Sequence, residues 1–374
     1  MACRSSALEL VKDLNVSIVL LSVWKGSRAE PGFHTFWITG NKTPTSTTVE
    51  HLKWILATLR NCSLPNLEAK IFAESTTKAY HQVKKYVRRM DLFIRQLVSS
   101  EIMALPSVAA PVTAVRRLVL DSGSYSELST AAYAFRDDPS YQLLKTAINN
   151  HPELEDLRLL RHNLGRVAAW AKAAESVAKM ASELDALQSY RVQVVPSQAT
   201  SPLLFPHDIT IGDALQRVMR SRASSDENGF ATTRLLDAFE ELYKSRDLSG
   251  KVHAETAMLL HFHARHMSFF DGNPYIGCSK PSCYACDLFR QCHPMRVHVR
   301  PRSGNVWASW TPLSSDRMAT IGLDTSTKTT IEEMIHRMRQ KIDLDASSGL
   351  REPGRTIDSI TDLSSSLPTI SSVA

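Results

Sequence analysis

The stretch that decides the fold is residues 252–286, which read VHAETAMLLHFHARHMSFFDGNPYIGCSKPSCYAC. It begins with a histidine and a carboxylate two residues apart, His253 and Glu255, and ends with a C-x-x-C pair, Cys283 and Cys286. Catalytic zinc takes three protein ligands in a near-tetrahedral arrangement and keeps a fourth position open. One imidazole and two thiolates can supply those ligands. The stretch therefore predicts a catalytic Zn²⁺ site with His253, Cys283 and Cys286 as ligands.

The chemistry follows from the same four residues. A C-x-x-C pair in the first turn of a helix has both sulfurs on one side, where the helix dipole favours thiolates. Zinc lowers the pKa of bound water to about 7, so hydroxide is available for attack. Glu255 is close enough to take the water proton and deliver it to a ring nitrogen and to the departing ammonia. The order H-x-E then C-x-x-C is that of zinc-dependent nucleobase deaminases. We therefore predict a hydrolytic enzyme with Glu255 as its catalytic residue.

The segments VHAE and YIGCSKPSCYACDLF resemble a deaminase-like family that is common in fungi and belongs to the cytidine deaminase superfamily. The similarity covers residues from Ile209 to Pro312. It implies an α/β fold in which helices cover a mixed sheet in a cytidine deaminase-like α/β/α layer. It also implies a zinc centre and a substrate that is a nucleoside, a nucleotide or a nucleic acid.

One position departs from the general superfamily motif, which has proline directly before the first cysteine. Here Ser282 stands between Pro281 and Cys283. The zinc ligands are unaffected, but the backbone that faces the substrate differs. Ala254 and Ser282 are the candidates for substrate contact, and the sequence identifies no other substrate-binding residue.

Composition and charge set broad limits. A chain of 374 residues suits about two domains. The net charge of +6, from 44 basic and 38 acidic residues, is a mild bias that suits an anionic partner. Four of the six cysteines lie between Cys278 and Cys292, which is typical of metal chemistry rather than of disulfides. The sequence therefore predicts an intracellular protein of the cytoplasm or nucleus.

The apolar run from Val16 to Trp24 is the only N-terminal stretch that suggests a targeting signal. Charged residues precede it, at Glu9, Lys12 and Asp13, and no small-residue cleavage site follows. It is also too short to span a bilayer. We predict a buried strand and no membrane partner.

The domain prediction follows the change in composition at Pro196–Pro206. Residues 1–200 are predicted to form a mainly helical N-terminal region, and residues 205–312 the zinc-dependent deaminase-like domain. A C-terminal helix follows at 313–344, with a disordered, serine-rich tail at 345–374. The sequence does not indicate the oligomeric state.

Several local predictions can be compared with the structure. Thr48–Arg60 is predicted to be a helix, with Leu52, Ile55, Leu56 and Leu59 on one face. Pro106 to Pro111 is predicted to be a connector, and Asn163 to Gly165 a break between two helices. Met295–Arg300 and Asn305–Trp310 alternate as strands do and predict a hairpin.

Two other interpretations use the same residues differently. Cys278, Cys283, Cys286 and Cys292 could form a closed structural Cys₄ zinc site, which would make the protein a binding or scaffold module. The deaminase fold could also belong to an inactive relative.

Three further clusters have functional and structural interpretations. His261, His263 and His266 could bind a second metal or be ordinary packing histidines. One basic and aromatic set could form a track for single-stranded nucleic acid, or it could be a solvated strand face with two core tryptophans. Its members are Arg290, Arg296, Arg300, Arg302, Trp307 and Trp310. A phosphate contact or a solvated surface is formed by the basic face of the helix Lys78–Glu101.

Overall fold

The computed structural model describes residues 20–25, 34–61, 66–181, 189–197, 201–202, 249–269, 272, 274–278, 281–299, 302–303, 305–307, 309–312 and 325–347. Most of the described residues are helical. A small sheet combines strands from before residue 200 with a strand from after residue 250. The strands are β1 (Leu20–Lys25), β2 (His34–Thr39), β3 (Tyr190–Val194), β4 (Ser201–Pro202), β5 (Ser249–Gly250) and β6 (Gly277–Cys278). The helices are α1 (Ser46–Arg60), α2 (Leu67–Lys78), α3 (Tyr80–Val98), α4 (Pro106–Asp121), α5 (Tyr125–Ala134), α6 (Pro139–Asn150), α7 (Glu155–Met180), α8 (Ala254–Ala264), α9 (Tyr284–Cys292) and α10 (Thr325–Ser347), with 3₁₀ turns at Glu101–Ala104 and Phe135–Asp137.

The main sheet has the strand order β3-β2-β1-β6. β1 is antiparallel to both of its neighbours, and Leu20 lies opposite Thr39 on one side and Cys278 on the other. β3 pairs with β2 in parallel, so the sheet is mixed. Strands from before residue 200 and after residue 250 therefore share one sheet. The predicted domain boundaries themselves stay a prediction.

Strand β2 contributes its two faces to different cores, because side chains alternate along a strand. Phe36 and Ile38 pack with residues of α1, α2 and α7, whereas Trp37 packs against the core around α8 and α9. The prediction of a mixed sheet with helices is thus confirmed in a coarse form. The described residues do not show the complete cytidine deaminase-like layering.

Two of the predicted helices in the N-terminal half are present, and each buries one face. In α1, Thr45 accepts a hydrogen bond from the Thr48 N–H at the N-cap, and the buried face is Leu52, Ile55, Leu56 and Leu59, as predicted. Helix α3 buries Val83, Met90, Ile94 and Leu97. Most of its basic side chains are exposed: Lys85, Arg88, Arg89 and Arg95. In α3, burial on one side therefore leaves the basic face in solvent.

The predicted connector at Pro106–Pro111 is wrong, because both prolines belong to α4. Pro106 is in the first turn, where a missing N–H costs no helical hydrogen bond. Pro111 does remove one such bond. Pro111 is itself buried, as are Val108, Val112 and Val115, so packing of this helix offsets the lost bond.

The predicted break at Asn163–Gly165 is also wrong, because α7 runs without interruption from Glu155 to Met180. A glycine inside a helix costs only about 1 kcal/mol relative to alanine. That cost is small beside the burial of the apolar stripe that flanks Gly165, which includes Leu157, Leu160, Leu164, Val167, Ala171, Ala174 and Val177.

The described residues do not form the predicted hairpin between Met295–Arg300 and Asn305–Trp310. His298 instead forms a parallel bridge with Tyr275, and Trp310 forms one with Lys251. Backbone groups of both segments therefore pair with chain that precedes them rather than with each other. Alternation alone cannot distinguish these partners.

Some predictions concern residues that the structure does not describe. They include residues 16–19 of the apolar run, much of the boundary at Pro196–Pro206 and the tail beyond residue 347. Strand β1 confirms the strand prediction for Leu20 to Trp24. Among the described helices, none combines the length and the apolar character that crossing a membrane requires.

Candidate metal centre

His253 and Glu255 lie at the N-terminal end of α8. His253 is the N-cap, with an extended backbone conformation, and it makes no side-chain capping bond of its own. The buried Ala254 N–H instead donates to Asn41 Oδ1 at 3.0 Å. Asn41 lies just after β2, the second strand of the antiparallel pair β1–β2, which we call the N-terminal hairpin. The end of this hairpin therefore supplies a partner to one of the four N–H groups that a helix start leaves unpaired.

Cys283 and Cys286 lie at the N-terminal end of α9. Cys283 is the N-cap, and its Sγ accepts a hydrogen bond from the Cys286 N–H at 3.4 Å. A neighbouring segment holds the backbone on both sides of Cys283. The Ser282 carbonyl accepts from the Ser303 N–H, and the Tyr284 N–H donates to the Asn305 carbonyl, both at 2.8 Å.

The two helix ends bring the three predicted ligands together. His253 Nδ1 lies 3.4 Å from Cys283 Sγ and 3.5 Å from Cys286 Sγ. The three ligand atoms are all within 4.8 Å of one another, and all three residues are buried. In the described part of the chain this is the one cluster of three or more such residues that could hold a metal ion.

The geometry of the cluster fits zinc. A tetrahedral ion with bonds of about 2.3 Å to sulfur and about 2.0–2.1 Å to nitrogen separates those two ligand atoms by about 3.5 Å. The observed separations of 3.4 and 3.5 Å match this value. Three ligands also leave one of four positions without a protein group, as in catalytic rather than structural sites. The separations of His253 Nδ1 from the two sulfurs are therefore those expected for ligands of one zinc ion.

The protonation of the two cysteines suits metal binding. Hydrogen bonds from Cys286, and then from His253, lower the pKa of the Cys283 thiol to about 5. Burial raises the pKa of the Cys286 thiol well above its ordinary value. These hydrogen bonds favour the thiolate form of Cys283, whereas burial favours the protonated form of Cys286. Binding of a metal displaces the remaining proton, as thiolate ligation requires.

Glu255 is buried beside the cluster without belonging to it. Its Oε2 accepts from Cys286 Sγ at 3.8 Å. Burial raises the pKa of the Glu255 carboxyl to about 7, and hydrogen bonding within its own residue and the nearby His253 oppose that rise. A carboxyl with a pKa near neutrality can both take and give a proton at physiological pH.

A small cavity lies next to Glu255, with room for about one water molecule. Ser282 and Arg290 line this cavity, and the buried Ser282 Oγ and Arg290 Nε have no hydrogen-bond partner among the described residues. The remaining lining residues are Thr256, Leu259, Ile276, Cys286, Phe289, Val297 and Val299. Of the two substrate-contact candidates, Ser282 lines the same cavity as Glu255, whereas the buried Ala254 donates its backbone N–H to Asn41.

The structure does not assemble the alternative Cys₄ site from its described residues. Cys278 Sγ donates to the Ile276 carbonyl at 3.6 Å, and it is not part of the metal-ligand cluster. Cys292 is the last residue of α9, at the opposite end of the helix from Cys283. Cys278 and Cys292 therefore do not join Cys283 and Cys286 in one ligand cluster among the described residues.

The three histidines do not form a metal-ligand cluster among the described residues. The basic track stays a prediction, and its described members lie in different surroundings. His261 contacts Arg265 at 2.9 Å and packs on Trp37, while His263 packs against His293. In the track, the Arg290 guanidinium is held inside the protein by Asp287 and by the Val297 carbonyl. Of the two tryptophans, Trp310 packs against Phe289 and the cysteine pair, whereas Trp307 is 56% exposed. Arg300 is outside the described residues.

The sequence predictions assign no role at the centre to three residues that lie near it. Asn41 is 213 positions before Ala254, and no local pattern marks it. Thr256 places its hydroxyl 3.6 Å from Cys286 Sγ. Trp310 covers the cysteine pair. Only the spacing of Thr256, three residues after His253 on the same helix face, could have indicated a role.

Comparison with known proteins agrees with the chemistry of this centre. A family model described as an OTT_1508-like deaminase matches residues 252–314. No curated protein and no solved structure matches the chain. The family match begins at Val252, later than the Ile209 expected from sequence, and includes all four residues of the predicted centre. Residues 252–314 are therefore similar to a deaminase domain, and they contain a buried His/Cys/Cys group that could bind a metal.

Proposed function

We propose that the protein is a zinc-dependent hydrolytic deaminase that acts on a nucleobase, either free as a nucleoside or nucleotide or within a nucleic acid. The observation that carries this proposal is the convergence of His253 Nδ1 with the two sulfurs at 3.4 and 3.5 Å, with the Glu255 carboxylate 3.8 Å from Cys286 Sγ. The deaminase match of residues 252–314 supports the reaction class.

His253, Cys283 and Cys286 would hold the ion. When bound there, zinc supplies the Lewis acidity that makes water a nucleophile at neutral pH. The remaining step requires an acid and base that is not itself a ligand. Glu255 meets that requirement, because it is two residues from His253 on a helix end and its carboxylate is buried against Cys286.

The reaction then balances as a hydrolysis. A carbon–oxygen bond forms between water and the ring carbon, and the carbon–nitrogen bond to the exocyclic amine breaks. Glu255 takes one proton from the water and gives it to the ring nitrogen. It then transfers the second water proton, from the new hydroxyl on the ring carbon, to the amine, which departs as ammonia and leaves a carbonyl on the base.

Of the two candidates, Ser282 is proposed to contact the substrate, because it lines the cavity beside Glu255, whereas the Ala254 N–H is already bonded to Asn41. The mild positive charge suits an anionic substrate, although it does not distinguish a nucleotide from a nucleic acid. The centre also requires reduced cysteines, which favours the cytoplasm or nucleus as its compartment.

Ammonia release tests the proposal. Zinc-loaded protein is incubated with cytidine, adenosine, their nucleotides and single-stranded DNA and RNA oligonucleotides. We expect release from at least one of these substrates. Glu255→Gln keeps the size of the side chain but cannot carry the proton, so the rate should fall by about 10²–10⁴-fold while zinc is retained.

The matched control is Glu50→Gln, on the surface of α1, where the carboxylate pairs with exposed Lys53. This variant should keep the wild-type rate. Zinc binding without Glu255-dependent ammonia release from any substrate would refute the enzyme proposal. It would favour the inactive relative or a zinc-stabilised binding protein.

A further inference from the structure

Thr256 is a buried polar residue whose hydroxyl faces the metal-ligand cluster. It is 1% exposed, and its Oγ1 lies 3.6 Å from Cys286 Sγ. It comes three residues after His253 on α8, and residues at that spacing share a helix face. The same face therefore presents one metal ligand and one hydroxyl to α9.

The position of Thr256 in the first turn leaves its hydroxyl available to the sulfur. Threonines inside helices commonly donate to the carbonyl four residues back, as Thr76 does to Phe72 and Thr330 does to Ser326. Four residues before Thr256 is Val252, which precedes the N-cap and is outside the helix. Among the described residues, Cys286 Sγ is the polar partner that the structure gives to this hydroxyl.

Each sulfur of the cluster thus has one hydrogen-bond donor from the protein. Cys283 Sγ accepts from the Cys286 N–H at 3.4 Å, and Cys286 Sγ has the Thr256 hydroxyl. A thiolate bound to a metal has no proton to donate, so the hydroxyl must be the donor. A hydrogen bond to the sulfur also spreads a negative charge that lies only 3.8 Å from the Glu255 carboxylate.

We propose that Thr256 is a positioning residue of the metal centre, which donates a hydrogen bond to the Cys286 thiolate and fixes both the orientation and the electron donation of that ligand. This inference rests on the proposed function, because it requires a metal ion held by His253, Cys283 and Cys286. Groups that orient metal ligands in this way typically change metal affinity by about 10–100-fold when they are removed.

The test compares Thr256→Val, which has the same shape without a hydroxyl, with Thr256→Ser, which keeps the hydroxyl. Zinc affinity is measured by competition with a chromophoric chelator, and the Co²⁺-substituted proteins are compared by absorption spectroscopy. We expect Thr256→Val to bind zinc about 10–100-fold more weakly. Its sulfur-to-cobalt charge-transfer bands should move to longer wavelength, because the sulfur loses a hydrogen bond. Thr256→Ser should restore both properties.

Thr330→Val is the matched control. Thr330 is also a buried helical threonine, and its hydroxyl donates to the Ser326 carbonyl at 2.8 Å in α10. This variant loses a hydrogen bond of ordinary strength without touching the cluster. It should bind zinc with wild-type affinity and give the wild-type Co²⁺ spectrum.

Two results would overturn the role of Thr256. One is wild-type affinity and spectrum in Thr256→Val. The other is weaker binding with an unchanged spectrum and no rescue by serine, which would mean that Thr256 contributes only packing. If the wild-type protein bound neither zinc nor cobalt, the proposed metal centre and this inference would fail together. Metal binding that depends on the Thr256 hydroxyl, in a protein that releases no ammonia, would support the inference and refute the deaminase proposal.

Discussion

Asn41→Ala tests whether the N-terminal hairpin holds the metal-binding end of α8. The Asn41 side chain is the hydrogen-bond partner of the Ala254 N–H, at 3.0 Å, and Ala254 is fully buried. The N-cap His253 provides no capping bond of its own. Truncation at Asn41 therefore leaves a buried donor without a partner, rather than returning it to water.

The magnitude follows from that burial. Loss of an exposed helix cap costs about 0.5–2 kcal/mol, and a buried, unsatisfied donor costs about 1–3 kcal/mol. We expect the free energy of unfolding of the metal-free protein to fall by about 1–3 kcal/mol in Asn41→Ala. Zinc affinity should fall as well, because His253 directly precedes the released N–H.

The measurement is urea denaturation followed by circular dichroism, with and without zinc. Asn41→Asp keeps an acceptor oxygen and adds a charge that favours a helix N-terminus, so it should retain most of the stability. Asn61→Ala is the control, because Asn61 makes an exposed bond to the Ala57 carbonyl. An Asn41→Ala protein with wild-type stability and zinc affinity would show that the hairpin contact does not position α8.

Three further predictions concern the ligand set, the pH dependence and α7. Cys286→Ser should abolish tight zinc binding in equilibrium dialysis, while Cys278→Ser should leave it intact; the opposite dependence on Cys278 would restore the closed Cys₄ site. Burial and the hydrogen bond to Glu175 raise the pKa of Tyr133 from 10.0 to about 12, so the folded protein keeps a phenol proton that the unfolded chain loses. This contribution to the free energy of unfolding is complete below pH 10 and is lost as the pH rises towards 12. Tyr133→Phe should therefore weaken the pH dependence of the free energy of unfolding in this range. An unchanged pH dependence would contradict the prediction. Gly165→Pro should cost about 3 kcal/mol or more in chemical denaturation, because α7 is continuous through this residue, whereas a near-neutral effect would indicate a break.

The residues of the candidate centre could be predicted because each of its two parts is local in sequence. His253 and Glu255 occupy the first turn of one helix, and Cys283 and Cys286 the first turn of another. In each case the spacing fixes which groups share a side. The burial pattern of α1 was predictable for the same reason, since Leu52, Ile55, Leu56 and Leu59 follow the helical period.

Predictions based on helix-breaking residues failed where burial opposed them. Gly165 lies within an apolar stripe, and the free energy of packing exceeds the conformational cost of one glycine. Pro111 is accommodated in α4 by the buried valines on either side of it. The predicted hairpin between Met295–Arg300 and Asn305–Trp310 is wrong for a different reason. Alternation identifies residues that can form a strand, but the hydrogen-bond partner of a strand depends on the rest of the fold.

The sequence by itself determined the composition of the candidate centre: one imidazole, two thiols and a carboxylate, in an order typical of deaminases. Tertiary structure alone decided how the helix ends meet. Pairing of β1 with both β2 and β6 places the N-terminal hairpin beside the segment that contains the cysteines. Asn41, just after this hairpin, accepts a hydrogen bond from the Ala254 N–H. Tertiary structure also decided that Cys278 and Cys292 stay outside the cluster. The physical reason is that spacing along a helix fixes side-chain direction only within a few turns, whereas contacts between distant segments depend on the core that packs them together.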